Sequence, residues 1–335
     1  MSNRWPGGII RKTPVTPAGP FQNGAASGVW TLADAAYWTK QGLWPIAGNA
    51  LVRGLFGGGS TGSTVNTIDF INITSTGNAT TFGQLTVTRN GVSGFSSSTR
   101  GVFGGGLNPS PLTTIDYVTI ASTGNAITFG SLIAARYGLG SCSNETRGLF
   151  AGGQDASFAA SSSISYVTIA TTGNSISFGN LTGVSAEWSC GFASTTRGVF
   201  TRLTRMDYVT IATTGNAVNF GFLIDFVQEA AGCSSSTRGL ICGGNGPINS
   251  IEYVTIATTG NSLDFGDLTL ARDTLSATSS STRGVIGGGT TNGSSGNNTI
   301  DYVTIATTGN AIDFGDLTIA RYGLGACSNA HGGLT

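Results

Sequence analysis

One theme is written six times along this chain. Arg100-Gly101-Val102-Phe103-Gly104-Gly105-Gly106 is followed by Ile-Asp-Tyr-Val-Thr-Ile at residues 115–120 and by Thr123-Gly124-Asn125-Ala126-Ile127-Thr128-Phe129-Gly130. The theme restarts at Arg53, Arg100, Arg147, Arg197, Arg238 and Arg283, with spacings of 47, 47, 50, 41 and 45 residues. A period in this range marks stacked copies of one supersecondary unit, none of which can bury its apolar face without neighbours. The 53 glycines and 10% charged residues would suit disorder, but the 39% apolar residues fall in regular alternating runs that can build a core.

Strands follow from the pattern inside each copy. Residues 100–103 form a short apolar run closed by glycines, read as a buried inner strand. Residues 115–120 alternate β-branched, polar and aromatic side chains, the pattern of a half-buried strand. The Gly-Asn pair that recurs from Gly77-Asn78 to Gly309-Asn310 reads as a hairpin turn using φ > 0. A fourth strand is expected over residues 136–142, leading into the next Thr-Arg-Gly. Four strands in each copy match a propeller blade. The apolar strands ending in Gly-Gly, Leu55-Phe56-Gly57-Gly58 and Val102-Phe103-Gly104-Gly105, resemble kelch-like β-propellers, with Phe82, Phe129, Phe178, Phe220, Phe265 and Phe314 where kelch blades usually carry Trp. The expected fold is all-β, a kelch-like β-propeller of six to seven four-stranded blades over residues 44–335. Residues 322–329 reproduce residues 137–144 and give a seventh inner pair, which favours seven blades; six with an extra terminal strand is the rival.

Chemistry is sparse. Lys+Arg and Asp+Glu balance at 16 each, without the basic face that a nucleic-acid binder needs. No segment approaches the ~20 apolar residues of a membrane span, and residues 1–8 carry no apolar signal segment, so membrane insertion and secretion by that route are not expected. Cys142, Cys233 and Cys327 share one repeat position with Phe95, Phe192 and Thr278, and with Cys190 and Cys242 they read as buried thiols. One histidine, His331, and no C-x-x-C pair leave no metal site to predict. The Gly-Gly-Gly runs lack the Lys-Ser/Thr of a phosphate loop. No catalytic residue and no cofactor are expected. The Arg of Thr-Arg-Gly is expected to pair with the acid of Ile-Asp-Tyr, Arg100 with Asp116, Arg283 with Asp301 and Arg238 with Glu252; the third copy has Ser165 in the acid position.

Departures from repetition point to binding. The connection after the glycines varies between copies, and variable loops on a rigid scaffold commonly carry sites. The fourth copy replaces glycines and loop by Thr201-Arg202-Leu203-Thr204-Arg205-Met206. Phe158, Arg202, Arg205, Asn292 and Asn297 are the rim-binding candidates.

Residues 1–43 differ in kind. Prolines at 14, 17 and 20 favour extended chain, and Thr31 can cap a short helix over residues 32–41. Trp5, Trp30, Tyr37, Trp38 and Trp44 are hard to bury in so small a module and are expected to dock onto a partner. Residues 26–32 (Ala-Ser-Gly-Val-Trp-Thr-Leu), 36–38 and 41–45, with the Ile-Asp-Tyr-Val-Thr-Ile-Ala-Thr-Thr-Gly-Asn repeats, resemble tailed-bacteriophage virion proteins, including cyanophage tail-fibre or appendage proteins. That resemblance implies a non-enzymatic tail, fibre or collar protein, assembled in the host bacterial cytoplasm. It would be oligomeric in the virion, anchored to other virion proteins by residues 1–43, and would display the propeller for assembly or contact with a host surface glycan or receptor. The alternatives are a capsid decoration protein and a carbohydrate-binding propeller lectin.

Overall fold

Each repeat forms one antiparallel sheet in the computed structural model, which describes Asp34, Ala36, Tyr37 and residues 51–335 except 185–187, 245 and 335. The chain divides into units 1–51 and 52–335. Asp34, Ala36 and Tyr37 are helical, within the expected helix 32–41; the rest of that helix and Trp5, Trp30, Trp38 and Trp44 lie outside the described residues.

Blade 1 holds β1 (Arg53–Gly57), β2 (Thr67–Asn72) and β3 (Thr80–Gln84). Blade 2 holds β4 (Ser93–Ser96), β5 (Arg100–Gly104), β6 (Thr114–Thr119) and β7 (Ile127–Ser131). Blade 3 holds β8 (Gly140–Ser143), β9 (Arg147–Ala151), β10 (Ser163–Thr168) and β11 (Ile176–Asn180), and blade 4 holds β12 (Gly191–Ala193), β13 (Arg197–Thr210) and β14 (Val218–Val227). Blade 5 holds β15 (Ala231–Ser234), β16 (Arg238–Cys242), β17 (Ile248–Thr255) and β18 (Leu263–Arg272). Blade 6 holds β19 (Ser276–Ser279), β20 (Arg283–Gly287), β21 (Asn297–Thr304) and β22 (Ile312–Arg321), after which β23 (Gly325–Ser328) returns to blade 1.

The propeller therefore has six blades, not seven. The seventh copy of the inner sequence is the strand that blade 1 lacks: β23 pairs antiparallel with β1, Cys327 opposite Leu55 and Ala326 opposite Phe56. Closure in this way covers the inner edge of β1, which a seventh, incomplete blade would have left exposed. Strand order inside the blade also differs from the sequence reading. Residues 140–143, not 100–103, are innermost, and β5 is second. Small residues such as Gly140, Ser141 and Ser143 let six strands converge on the axis, whereas Val102 and Phe103 need the wider space farther out.

Blade 4 is the irregular one. β13 runs through where other blades have two strands and a loop, yet Ile211 N–H donates to Thr196 O (2.9 Å) as Ile120 N–H does to Thr99 O (2.9 Å). The segment thus folds back as a tight hairpin, and the rim loop of that blade is absent.

The cores lie between blades rather than within them. Phe95, Val102, Ile115 and Phe129 of blade 2 pack against Leu139, Phe150, Val167 and Ile169 of blade 3, and five equivalent clusters complete the circle. The six phenylalanines at the kelch Trp position are buried, each edge-on to a middle-strand ring, as Phe129 is to Tyr117 at 5.8 Å. Each such side chain contributes about 1.5–3 kcal/mol on burial, but only when the neighbouring blade is present.

Three polar staples recur around the ring. The Thr-Arg-Gly arginines do not reach the acids: Arg100 lies over Tyr117 (4.7 Å to the centroid) and donates to Ile169 O (3.0 Å) and Ala170 O (2.8 Å) of the next blade. The Gly-Asn turns act through the asparagine side chain instead of through φ > 0 at Asn, Asn125 Oδ1 accepting from Gln84 N of the preceding blade at 3.1 Å. The third staple is the acid of the middle strand, which takes its partners from the segment entering its own blade. Asp116 accepts from Arg89 Nη2 (2.9 Å), Thr86 N (3.2 Å) and Thr86 Oγ1 (2.7 Å).

The glycine of Thr-Arg-Gly makes room for the innermost strand of the blade before it. A Cβ on Gly148 would stand 1.9 Å from Phe95 Cε2, while one on Gly284 would come no nearer than 3.0 Å to any atom, Cys233 Sγ. Gly148→Ala is expected to lose about 1–3 kcal/mol and Gly284→Ala distinctly less, read from the urea midpoints at constant m-value.

Candidate functional site at the channel mouth

The rim loops and the entries to the innermost strands share one face. Short antiparallel bridges join Ser60 to Tyr322, Leu107 to Asn90, Gln154 to Tyr137 and Thr290 to Asp273. Just inside them the backbone turns through a left-handed conformation in every blade: Gly91 (62°), Gly138 (63°), Trp188 (59°), Glu229 (59°), Thr274 (48°) and Gly323 (66°). Hydrogen bonds run from blade to blade at this level: Gly91 N to Gly323 O (2.7 Å), Gly138 N to Gly91 O (3.0 Å), Ser189 N to Gly138 O (3.1 Å), Glu229 N to Trp188 O (3.1 Å), Thr274 N to Glu229 O (2.8 Å) and Gly323 N to Thr274 O (2.8 Å). The mouth is thereby laced shut into a rigid iris.

Three consecutive blades place Trp, Glu and Thr where the others have glycine. A non-glycine residue held in this region costs on the order of 1 kcal/mol or more, and such strain concentrates where a side chain is needed for function. Trp188 reaches across the axis: a Cβ on Gly91 would lie 3.3 Å, and one on Gly323 3.4 Å, from its Cη2. The ring meets Tyr137 edge-to-face (5.8 Å, 88°), and Tyr137 meets Phe158 in the same way (5.9 Å, 70°). Tyr137 Oη donates to Gln154 Oε1, and Gln154 Nε2 holds Phe158 through its carbonyl at 3.1 Å. Phe158, at φ 58°, remains 52% exposed, and Asp155 Oδ1 fixes its loop through Ser157 N (2.8 Å) and Ala159 N (3.1 Å). An aromatic ladder thus runs from the channel axis to the rim. Asn90 and Glu229 stand beside Trp188; Asp273, buried next to Thr274, has its carboxyl pKa pushed up by that burial.

The cavity beneath the mouth measures about 80 Å³, far below the several hundred Å³ of a site that engulfs a small molecule. That is room for only a few waters; a larger ligand would lie on the ladder. The opposite end of the channel, about 50 Å³, is stopped by the chain terminus. His331 Nε2–H donates to Ser96 O (3.1 Å), its Nδ1 accepts from Gly333 N (3.1 Å), and Gly332 N donates to Ser234 O (3.0 Å). This arrangement requires the neutral imidazole, and burial lowers the pKa of His331 against opposing contributions from Ser96 O and Glu145. A base whose folded pKa is depressed destabilises the fold as pH drops below its unfolded value of about 6.5. Wild type should therefore lose more stability on acidification through that range than His331→Gln, a difference read from Tm measured across pH.

The other rim candidates take different places. Arg202 is absorbed into architecture, its Nε 3.7 Å from Asp207 Oδ2 and its Nη2 donating to Thr182 Oγ1 (3.1 Å). Arg205 lies over Phe222 (5.2 Å) on the outer pair of blade 4. Asn292 Oδ1 caps its own turn through Ser294 N (3.1 Å) and Ser295 N (2.9 Å), and Asn297 Oδ1 accepts from Thr299 N (2.7 Å). Phe158 alone of the five joins the ladder. Trp188 and Tyr137 escaped the sequence reading, although aligning the repeats sets Trp188 against Gly91, Gly138 and Gly323. All five cysteines are free and buried, and burial pushes the thiols of Cys142, Cys190 and Cys327 up. Among the described residues no three His, Cys, Asp or Glu side chains gather to hold a metal ion, and no helix is long and apolar enough to cross a membrane. No protein-family model matches the chain, and no curated protein matches it.

Proposed function

We propose that this chain is a non-enzymatic structural protein of a tailed-phage virion, a tail, fibre or collar component whose N-terminal arm attaches it to other virion proteins and whose propeller presents the channel mouth to the host surface. The resemblance of the arm and of the Ile-Asp-Tyr-Val-Thr-Ile repeats supports the virion setting. The observation that carries the binding role is the Trp188–Tyr137–Phe158 ladder, built where the repeat is broken and the backbone strained. The exposed Phe158 ring, backed by Tyr137 and the half-buried Trp188, suits a sugar, whose C–H face stacks on an aromatic plane while its hydroxyls find polar partners.

The ladder occurs once per ring, so glycan binding would saturate at one ligand per chain. A lectin with pockets between blades would take several. Purified particles examined by quantitative mass spectrometry and cryo-electron microscopy should contain this chain at fixed stoichiometry; its absence would remove the virion role. On a glycan array, Trp188→Gly should weaken binding at least about tenfold. Because glycine is native at positions 91, 138 and 323 and suits the same φ, the variant should keep a near-native Tm. Unchanged glycan binding would reject the ladder as the contact surface.

A further inference from the structure

We propose that blade 3 binds a small monovalent anion of chloride size beside Arg136, in the place that a carboxylate fills in other blades. Arg89, Arg136, Arg272 and Arg321 occupy equivalent positions and are buried. Three of them meet an aspartate: Arg89 with Asp116 (2.9 Å), Arg272 with Asp301 (2.6 Å) and Arg321 with Asp69 (3.1 Å). Arg136 meets Ser165 instead, Nη2 donating to its Oγ at 3.0 Å, while Nη1 donates to Gly152 O (2.9 Å) and Ser163 O (2.7 Å). Among the described residues no carboxylate forms an ion pair with it. Arg136 is 1% exposed as a whole residue, so water screens it poorly, and a buried charge without a counter-charge is costly.

The other altered blades show what balance looks like. Blade 4 retains Asp207 and supplies Arg202 from its hairpin; blade 5 retains Glu252, has Val227 at the arginine position, and satisfies the acid with Ile224 N, Asp225 N and Ser262 Oγ. Blade 3 alone keeps the cation and loses the acid. Its donors stay in place. Ile133 N, equivalent to the Thr86 N that binds Asp116, is held at 3.0 Å by Ser175 Oγ, and Ser175 replaces the alanine found at positions 79, 126, 217 and 311. Ser165 is shorter than the aspartate of the equivalent blades by a carboxylate's volume, and that volume lies next to the Arg136 guanidinium that the serine still touches. A halide matches that volume and can accept from the guanidinium and from the Ser165 hydroxyl; sulfate and phosphate are too large. This site is independent of any ligand at the channel mouth.

The test compares thermal unfolding of the full chain in sodium chloride and sodium gluconate at equal ionic strength, for wild type, Ser165→Asp and Arg136→Met. Wild type should show a saturable chloride-specific rise in Tm of about 2–4 °C, and neither variant should show it. Crystals soaked in bromide should give an anomalous peak within hydrogen-bond reach of Arg136 Nη2. Equal wild-type Tm values in the two salts, a chloride response undiminished in Arg136→Met, or bromide maps without a peak there would each overturn the proposal.

Discussion

Deleting residues 325–335 should leave a propeller that no longer unfolds as one cooperative unit. The deletion removes β23, and with it the innermost strand of blade 1 and the backbone partners of Gly54, Leu55, Phe56 and Gly57. It also strips Ala326 and Cys327 from the cores on the two sides of that blade. Because every core lies between two blades, opening one junction weakens its neighbours in turn. The loss should equal or exceed the 5–15 kcal/mol stability of an ordinary domain, seen as a broadened, low-enthalpy calorimetric transition or as failure to fold. Grafting residues 325–331 directly ahead of Arg53, in place of the residues preceding it, should restore the sharp transition, since β23 would then enter β1 through a three-residue connection as β4 enters β5. A truncated chain with a sharp transition near the wild-type Tm would refute ring closure by this strand.

The second large effect concerns the buried latches. Arg272→Met leaves Asp301 in the interior with Thr269 Oγ1 (2.6 Å) but no cation, and should cost about 3–5 kcal/mol. Pairing it with Asp301→Leu should recover most of that loss, because two apolar groups of similar shape replace a buried ion pair at little cost. Arg136→Met is the contrasting case. There the residue removed is a buried cation without a carboxylate, whose pKa burial alone lowers to about 10, and the change should fall within about 1 kcal/mol of neutral in a chloride-free buffer. Chemical denaturation of wild type, Arg272→Met, Asp301→Leu and the double variant, read as a double-mutant cycle with Arg136→Met as outside reference, separates these outcomes.

Much of this architecture was legible in the repeats because strands and glycines obey local rules. The alternation at residues 115–120 gave a strand, and Phe129 in its repeated place gave a core residue. What escaped depends on position in space. Nothing local says that residues 325–328 pair with residues 54–57 across the whole chain, so a closing strand read as the start of another blade. Asp116 was matched to Arg100, the arginine of the most visible motif, whereas its partner Arg89 sits in a less regular linker. Arg100 was already committed to carbonyls of the next blade. Trp188 was overlooked because its neighbourhood departs from the repeat, and that departure was itself the signal.

The latch also governs how such a chain can change its number or order of repeats. Arg89, Thr86 and Asp116 all lie between the outer strand of one blade and the middle strand of the next. A segment exchanged by recombination at the Phe-Gly boundary carries cation, hydroxyl and acid together and arrives balanced. One exchanged at Thr-Arg-Gly separates Arg89 from Asp116 and joins each to a stranger. Near-identical repeats invite such exchanges, and only one of these two breakpoints keeps the charges in register.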